Sequence, residues 1–317
     1  DWFMKNGYVF DADLGTSIGI IASASYHNQQ NQYGSRQWDA AQTNAYLNAI
    51  FQTGFDDSAT DLWDDHSHNL SAGLSVNYDG YDESLLGERL EVRGKRYEVT
   101  PGVFAEYTYT YQDKVTLLVG VRADYSTRYG FFTTPRMNLR YAPFEWWTLR
   151  GSVGLGYRTP NAIADNAAYL PSNREYYLGD GRWAMGDGQL AQERSMNTGL
   201  STVFYIPMGK RELQLSGEYY YTKFLDGVIA DMDRSLQGIT LYNMHDVEGA
   251  KYFSHNWQVE ASMEILRGWT MTAAFRYTDV KQTTFNTVAN EYQLREKPLQ
   301  NKFKGIITTS YQTPLKT

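Results

Sequence analysis

Apolar and polar residues alternate with a period of two along much of this chain. From Val115 to Ala123 every second residue is apolar, and the intervening positions include Arg122. The same pattern runs from Trp147 to Tyr157, with Arg150 among the intervening residues. Because successive side chains of a β-strand point to opposite faces, each segment predicts a strand with one apolar and one polar face.

Twelve segments are predicted as strands on this basis, and they are joined alternately by short turns and long polar connections. The predicted strands span residues 15–27, 40–53, 67–79, 99–111, 115–127, 134–142, 147–158, 191–206, 212–227, 250–265, 269–281 and 301–313. The predicted long connections span residues 80–98, 159–190, 228–249 and 282–300.

Residues 40–53 are the ambiguous member of this set, because their Ala, Gln and Asn content is typical of a helix. A helix here would leave strand 15–27 running in the wrong direction to meet strand 67–79 in an antiparallel sheet. We therefore interpret residues 40–53 as a strand.

The predicted apolar faces carry no formal charge at their central positions, whereas the opposite faces hold many Arg and Glu residues. A Lys or Arg that faces the middle of a bilayer costs about 2–4 kcal/mol. The chain also has 26 Tyr and 8 Trp, which gather near the strand ends as they do at membrane interfaces. The pattern favours an all-β, antiparallel transmembrane β-barrel over the alternative, an aromatic-rich soluble β-sandwich.

The composition of the chain excludes several kinds of site and partner. The chain has no Cys, so it has neither disulfides nor thiolate metal sites, and a net charge of −7 argues against nucleic acid as a partner. His66 and His68 follow two Asp residues in a predicted turn, where solvation is a better explanation than a metal site. His245 and Asp246 are adjacent, which is poor geometry for a catalytic pair. We predict no cofactor, no metal and no enzymatic activity.

Residues 118–160 resemble the barrel of TonB-dependent outer-membrane receptors. In that family a "GxRxD" strand is followed by a "tPRxxLxY" strand and then by "lRxsxGxGfRxP". The matching residues here are Gly120, Arg122 and Asp124; Pro135, Arg136, Leu139 and Tyr141; and Leu149, Arg150, Gly154, Gly156, Tyr157, Arg158 and Pro160. Residues 190–199 and 217–229 are similar to the segments that follow in the family.

The resemblance implies an active-transport receptor in the outer membrane of a Gram-negative bacterium. Its expected partners are outer-membrane lipid, the TonB complex acting through a plug domain, and a small-molecule or glycan ligand such as an iron chelate, haem or cobalamin. Family barrels have 22 strands, so we expect residues 1–317 to be one partial barrel domain without a plug. The alternatives are a passive channel of about twelve strands and an outer-membrane hydrolase.

A partial barrel of this kind has unpaired edges. The channel alternative requires strands 15–27 and 301–313 to pair and close the barrel. We expect instead an open, curved sheet in which both terminal strands are unpaired on one side.

Two groups of residues are candidates for function. The first comprises charges predicted to face the lumen: Arg122, Asp124, Arg136, Arg140, Arg150 and Arg158. These arginines either pair with lumenal carboxylates or a plug, which we favour because buried charges are normally paired, or they guide an anionic ligand inward.

The second group lies in the long connection 159–190, where aromatic and Arg side chains predict ligand contacts. Its members are Tyr169, Arg174, Tyr176, Tyr177 and Trp183.

Overall fold

The computed structural model describes residues 1–55, 66–87, 91–172, 174–178, 190–235 and 238–313. The described residues form seventeen strands and two short 3-10 helices, at Ala164–Tyr169 and Met244–Asp246. The strands are β1 (Trp2–Asp11), β2 (Thr16–Tyr33), β3 (Arg36–Phe55), β4 (His66–Leu86), β5 (Glu91–Tyr111), β6 (Val115–Ser126), β7 (Gly130–Phe144), β8 (Trp147–Arg158), β9 (Glu175–Leu178), β10 (Glu193–Met208), β11 (Arg211–Asp226), β12 (Val228–Asp231), β13 (Gly238–Asn243), β14 (Tyr252–Leu266), β15 (Trp269–Asn286), β16 (Glu291–Glu296) and β17 (Phe303–Tyr311).

Fourteen of these strands form one antiparallel sheet. Neighbouring strands follow chain order from β1 to β8 and then run β10, β11, β14 and β15. The far edge of β15 pairs with β16 along one half and with β17 along the other. All twelve predicted strands lie in this sheet, and residues 40–53 lie within β3, so the all-β prediction and the strand interpretation of that segment are confirmed.

Two strands of the sheet were not predicted. β1 precedes the first predicted strand, and both of its faces mix apolar residues with polar ones such as Lys5 and Asn6. It therefore lacks the alternation that identifies its neighbours. β16 lies in the connection 282–300 and extends the β15 hairpin by only six residues.

The prediction of a long loop at residues 80–98 is wrong. β4 continues to Leu86 and β5 begins at Glu91, and the two strands stay in register along this length. Charged residues occupy both faces of this extension, including Asp82 paired with Lys95 at 2.8 Å. Strands that project beyond the bilayer have water on both faces, so their sequence loses the apolar face on which the prediction depended.

The sheet is open rather than closed into a barrel, as predicted. Among the described residues, β1 pairs only with β2 and β17 pairs only with β15, and every residue of these two strands is exposed. The edge at the amino end is β1, not the predicted strand 15–27, which pairs with β1 and β3 as part of β2. The pairing of residues 15–27 with 301–313 that the channel alternative requires is not present among these ladders.

The face of the sheet that bears the apolar alternation is exposed. Leu74 is 62% exposed and Val259 is 52% exposed. On the same face the Trp257 ring lies between those of Tyr219 and Tyr277 in tilted contacts, with ring centroids 5.1 and 5.4 Å away. We call this the outer face. In the described part of the chain, no helix combines the length and apolar character needed to span a bilayer.

Candidate functional site

Two long connections fold together into a small unit at one end of the sheet, which we call the cap (residues 159–178 and 228–246, where described). Its core is a three-stranded sheet in the order β12, β13, β9. β12 begins with the apolar run Val228–Ala230, whereas β13 alternates Ile239 and Leu241 with Thr240 and Tyr242, and all but one residue of each strand is buried. Ile229, Ile239 and Leu241 are accordingly fully buried.

The cap packs against the ends of β3, β4 and β5. Trp38 and Leu85 of the large sheet belong to the same buried cluster as Ile239 and Leu241 of the cap. Asn161 donates a hydrogen bond to the Glu83 carboxylate at 2.9 Å. The cap residues 159 and 160 form hydrogen bonds with β5. The Thr159 hydroxyl donates to Glu98 at 2.8 Å, and the Arg96 guanidinium donates to the Pro160 carbonyl at 2.9 Å.

The opposite side of the cap is attached to β15. The fully buried Asp231 carboxylate accepts the backbone N–H of Phe285 at 2.6 Å and the backbone N–H groups of Asp233 and Arg234 at 2.9 and 3.3 Å. The Tyr242 hydroxyl donates to the Thr283 carbonyl. Eight strands separate β3 from β15 in the sheet order. Because the cap contacts both, the sheet must curve around it, and the face that the cap contacts is the inner face.

The structure places the predicted ligand-contact residues in different surroundings. Tyr169 is 6% exposed and Tyr176 is 1% exposed, so both belong to the packed core of the cap. Arg174 is half-buried and donates to the Met232 carbonyl at 2.6 Å. Tyr177 is half-buried beside Glu175, to which its hydroxyl donates. Trp183 lies outside the described residues. Their predicted role in ligand binding stays a prediction, with Arg174 and Tyr177 the more accessible members.

Burial also affects the ionisation of the cap tyrosines. Burial raises the pKa of Tyr176 and, further, that of Tyr242, since the phenolate would have to leave water. A raised folded-state pKa means that these tyrosines stabilise the cap fully below about pH 10, the ordinary tyrosine pKa. That stabilisation is lost as the pH rises through the raised values.

Three of the predicted lumenal arginines are paired with carboxylates. Arg122 forms a bidentate pair with Asp124, with N–O distances of 2.8 and 2.6 Å, and also donates to Ser75 at 2.7 Å. Asp124 is only 4% exposed because its carboxylate lies over Gly102, where a Cβ would be 1.9 Å from Oδ1. The glycine is required by this close approach.

Arg136 uses a similar arrangement. Its side chain crosses Gly120 to reach Glu106 on the next strand but one, with Nε 2.9 Å from Oε2. Arg158 donates to Glu193 at 2.7 Å and to Asp165 at 2.6 Å, and so ties the end of β8 to β10 and to the cap.

Arg140 and Arg150 differ from these three. They lie directly opposite each other on β7 and β8, on the same face as Arg136. Arg140 donates to the Asp113 backbone carbonyl at 2.6 Å. In the described part of the chain, neither arginine forms an ion pair.

His66 and His68 lie in β4 rather than in the predicted turn, because both bond to tyrosines of the neighbouring strand β5 and continue the β4–β5 ladder. His68 Nδ1 is 2.6 Å from the Tyr107 hydroxyl, and His66 Nδ1 is 2.5 Å from the Tyr109 hydroxyl. Asp64 and Asp65 lie outside the described residues. Among the residues that are described, no group of three or more His, Asp or Glu side chains is arranged to hold a metal ion.

Sequence reasoning missed the residues that fix the cap, above all Asp231, Trp38 and Leu85. Asp231 follows the apolar run Val228–Ala230 and precedes Met232. A carboxylate at the end of a buried strand is a weak signal for an attachment point. Leu85 gave no signal because its segment was predicted as a loop, and Trp38 lies between the predicted strands 15–27 and 40–53, where no element was assigned.

Comparison with known proteins identifies the family. The profile described as "TonB dependent receptor-like, beta-barrel" matches residues 1–315. The chain belongs to the TonB-dependent receptor β-barrel family. A search of curated protein sequences found no match.

Solved structures with a similar fold are TonB-dependent receptors of 10–14% sequence identity. The ferripyoverdine receptor of the outer membrane of Pseudomonas aeruginosa superposes with a TM-score of 0.63 at 10% identity, and covers 98% of this chain and 43% of the receptor. The alcaligin receptor FauA of Bordetella pertussis gives 0.60 at 14%, covering 98% and 50%. The siderophore receptor PiuA of Acinetobacter baumannii gives 0.61 at 11%, covering 98% and 51%. The chain therefore spans about half the length of these receptors.

Family membership establishes several of the expectations from sequence. TonB-dependent receptors are outer-membrane β-barrel proteins of Gram-negative bacteria, which gives this chain its location and its lipid environment. The family comprises transport receptors rather than enzymes. The exposed apolar outer face is the face that meets lipid.

Proposed function

We propose that this chain forms part of the barrel of an active uptake receptor for a siderophore-type iron chelate, energised by the TonB complex. We further propose that residues 1–317 form a single partial barrel domain and have no catalytic role. Similarity to receptors for ferripyoverdine and alcaligin supports the ligand class. The plug domain and a TonB contact would come from polypeptide other than these residues.

The cap is the observation that carries this proposal. A unit that spans the sheet from β3 to β15 controls access to the inner face from that end. Porins contain a water-filled channel, whereas the cap provides a packed surface at one end of the inner face that can hold ligand before energised passage. We therefore propose that ligand binds at the cap, with Arg174 and Tyr177 among its contacts and Tyr169 and Tyr176 shaping the surface from beneath.

The test is iron uptake by the bacterium that encodes this chain. We expect deletion of the gene to reduce uptake of radiolabelled iron supplied as the cognate siderophore complex, and deletion of TonB to reduce it equally. Uptake that is unchanged without TonB would contradict the energised mechanism and favour a passive channel.

A matched pair of variants separates the cap from the rest of the barrel. Asp231→Ala, which removes one of the links between the cap and β15, should lower uptake while the protein still inserts into the membrane. Asp233 lies two residues after Asp231 and forms an exposed ion pair with Arg295. Asp233→Ala removes that pair and should leave uptake near the wild-type rate. Equal uptake by both variants would exclude the cap from the mechanism.

A further inference from the structure

Two lysines lie on the outer face of the sheet near the cap. The strands β6, β7 and β8 are described along their whole length, and none of them carries a charged residue on this face. By contrast, β11 and β15 place Lys223 and Lys281 on it, close to their cap ends. The outer face points away from the lumen, so neither a plug nor further barrel strands would cover these lysines.

The two lysines are close enough to bind one group together. They lie in one register row, with Phe253 of β14 between them. Neighbouring strands are about 4.8 Å apart, so the Cα atoms of Lys223 and Lys281 are separated by about 10 Å. Each side chain ends in an ammonium group on a long flexible stem, which can turn toward an anion above the Phe253 ring.

The acids near the lysines leave this part of the face positively charged. The Asp279 carboxylate is 3.5 Å from the Lys281 ammonium group. Glu296 lies opposite Lys281 on β16, but its carboxylate pairs with Lys302. Lys223 is exposed, and within the described part of the chain it forms no ion pair. Lys223 therefore supplies a positive charge that these acids do not balance.

An aromatic patch lies on the same face next to the lysines, on the side away from the cap. His255 is at its centre, and its Nδ1 is 2.9 Å from the Tyr219 hydroxyl. The His255 ring centroid is 4.8 Å from that of Tyr221 and 5.5 Å from that of Trp257. Apolar residues such as Val259 continue the face toward the short turns. Tyr and Trp rings mark the membrane–water interface, so the lysines lie at headgroup level and the apolar residues at the level of acyl chains.

The lysines lie on the side of the membrane that faces the outside of the cell. Lys281 comes shortly before Phe285 in β15, and Phe285 is bonded to Asp231 of the cap. The cap is built from long connections, and outer-membrane barrels place their long connections outside. The headgroups that surround the lysines therefore belong to the outer leaflet.

We propose that Lys223 and Lys281 bind a phosphate group of lipid A, the phosphorylated glycolipid of the outer leaflet. A phosphate monoester carries about −1.5 to −2 charges at neutral pH, which matches a pair of ammonium groups. The phosphate lies above the Phe253 ring, and the acyl chains of the same molecule pack along Trp257 and the apolar residues beyond it. The inference rests on the outer-membrane location of the family and does not depend on the uptake function.

The competing occupant is a second copy of the receptor packed on this face. The cores of protein interfaces are depleted in Lys, whereas here the two lysines flank the Phe253 ring directly. The residues along the face are basic, then aromatic, then apolar, and this is the order of phosphate, interface and acyl chain in a lipid. Charge and depth in the bilayer thus favour a phosphorylated lipid.

The experiment is native mass spectrometry of the full-length receptor that contains these residues, purified in a non-ionic detergent and titrated with lipid A that carries its phosphates. We expect a lipid-bound monomer whose affinity falls about fivefold in Lys223→Gln, equivalent to about 1 kcal/mol for one lysine near anionic lipid. Lys223→Arg, which keeps the charge, should stay within about twofold of the wild-type affinity. Circular dichroism checks that each variant retains its strand content.

The matched control is Arg211→Gln. Arg211 lies at the other end of β11, on the same face as Lys223, and is exposed. At about 3.3 Å per residue it is about 40 Å from Lys223, well beyond the screening length of roughly 10 Å. Its replacement should change the affinity for lipid A by less than about twofold.

Two further lipids test the ligand class. Lipid A from which the phosphates have been removed, and phosphatidylglycerol, which has a single phosphodiester charge, should each bind at least about fivefold more weakly than phosphorylated lipid A. Equal binding of the phosphate-free lipid would overturn the proposal, because the phosphate would not be recognised. Binding of phosphatidylglycerol that is as tight, and is lost in Lys223→Gln, would assign the lysines to anionic phospholipid instead.

The protein variants supply the remaining contrary results. Unchanged affinity in Lys223→Gln would exclude this lysine from the site, and an equal loss in Arg211→Gln would indicate general attraction of anionic lipid to the receptor. A receptor dimer that Lys223→Gln dissociates, in place of a lipid-bound monomer, would assign the face to a second copy. Failure of TonB-dependent uptake would leave the lipid titration and its interpretation unchanged.

Discussion

Asp231 fixes the cap to the large sheet, and its removal should open the cap without unfolding the sheet. The side chain is fully buried, and its two carboxylate oxygens accept three backbone N–H groups. Replacing Asp231 by Ala leaves these three donors without an acceptor. An unsatisfied buried donor costs about 1–3 kcal/mol.

The change in the free energy of cap opening depends on which of the three N–H donors regain a hydrogen-bond partner. The N–H groups of Asp233 and Arg234 lie in the turn after β12 and can be hydrated when that turn relaxes. The N–H of Phe285 belongs to β15 and loses its link to the cap. We therefore expect the free energy of cap opening to fall by about 1–3 kcal/mol, the penalty for one buried donor. Because about 1.4 kcal/mol is a factor of ten, amide exchange in the cap should accelerate by about fivefold to a hundredfold.

Hydrogen exchange measured by mass spectrometry on the protein in micelles is the assay. Peptides covering β12 and β13 should lose protection in Asp231→Ala, while those covering β6 keep it. Asp233→Ala serves as the control, because its side chain is 54% exposed and its ion pair with Arg295 contributes about 0–1 kcal/mol. Unchanged cap exchange in Asp231→Ala, or equal loss of protection in β6, would refute the argument that the cap is a separate unit held by this carboxylate.

Three further outcomes are expected. Val119→Arg, on the lipid-facing side, should make the free energy of folding into lipid vesicles less favourable by about 2–4 kcal/mol. Thr116→Arg, on the opposite face, should have a smaller effect, and equal effects of the two variants would contradict the assignment of faces. Gly102→Ala should lower stability to urea by about 1–3 kcal/mol, because the new Cβ displaces the buried Asp124 carboxylate; a smaller midpoint shift would show that the carboxylate moves freely. Protease cleavage of the cap should increase as the pH rises above about 10, because Tyr176 ionises more readily in the opened cap than in the closed cap, where burial raises its pKa, and cleavage that does not depend on pH would count against this linkage.

The sequence by itself determined the strands that cross the membrane and the face each turns to lipid. Alternation between residues such as Val119 and Gly120 reflects a local rule, because successive side chains of a strand point to opposite sides. That rule operates wherever lipid lies on one side of the sheet and polar groups on the other, so all twelve strands read in this way are present. It fails in β1, where the two faces are mixed, and in the ends of β4 and β5, where water surrounds both faces.

Only the tertiary structure decided which functional residues act together. Trp38, Leu85, Ile239 and Asp231 meet because a curved sheet brings strands that are distant in the chain around one cap. Likewise, Arg136 and Arg150 look equivalent in sequence, each lying in a polar position of a family motif. They differ because Arg136 crosses Gly120 to reach an acid, whereas Arg150 meets Arg140. Pairing of charges depends on neighbours across strands, and no period along one strand encodes those neighbours.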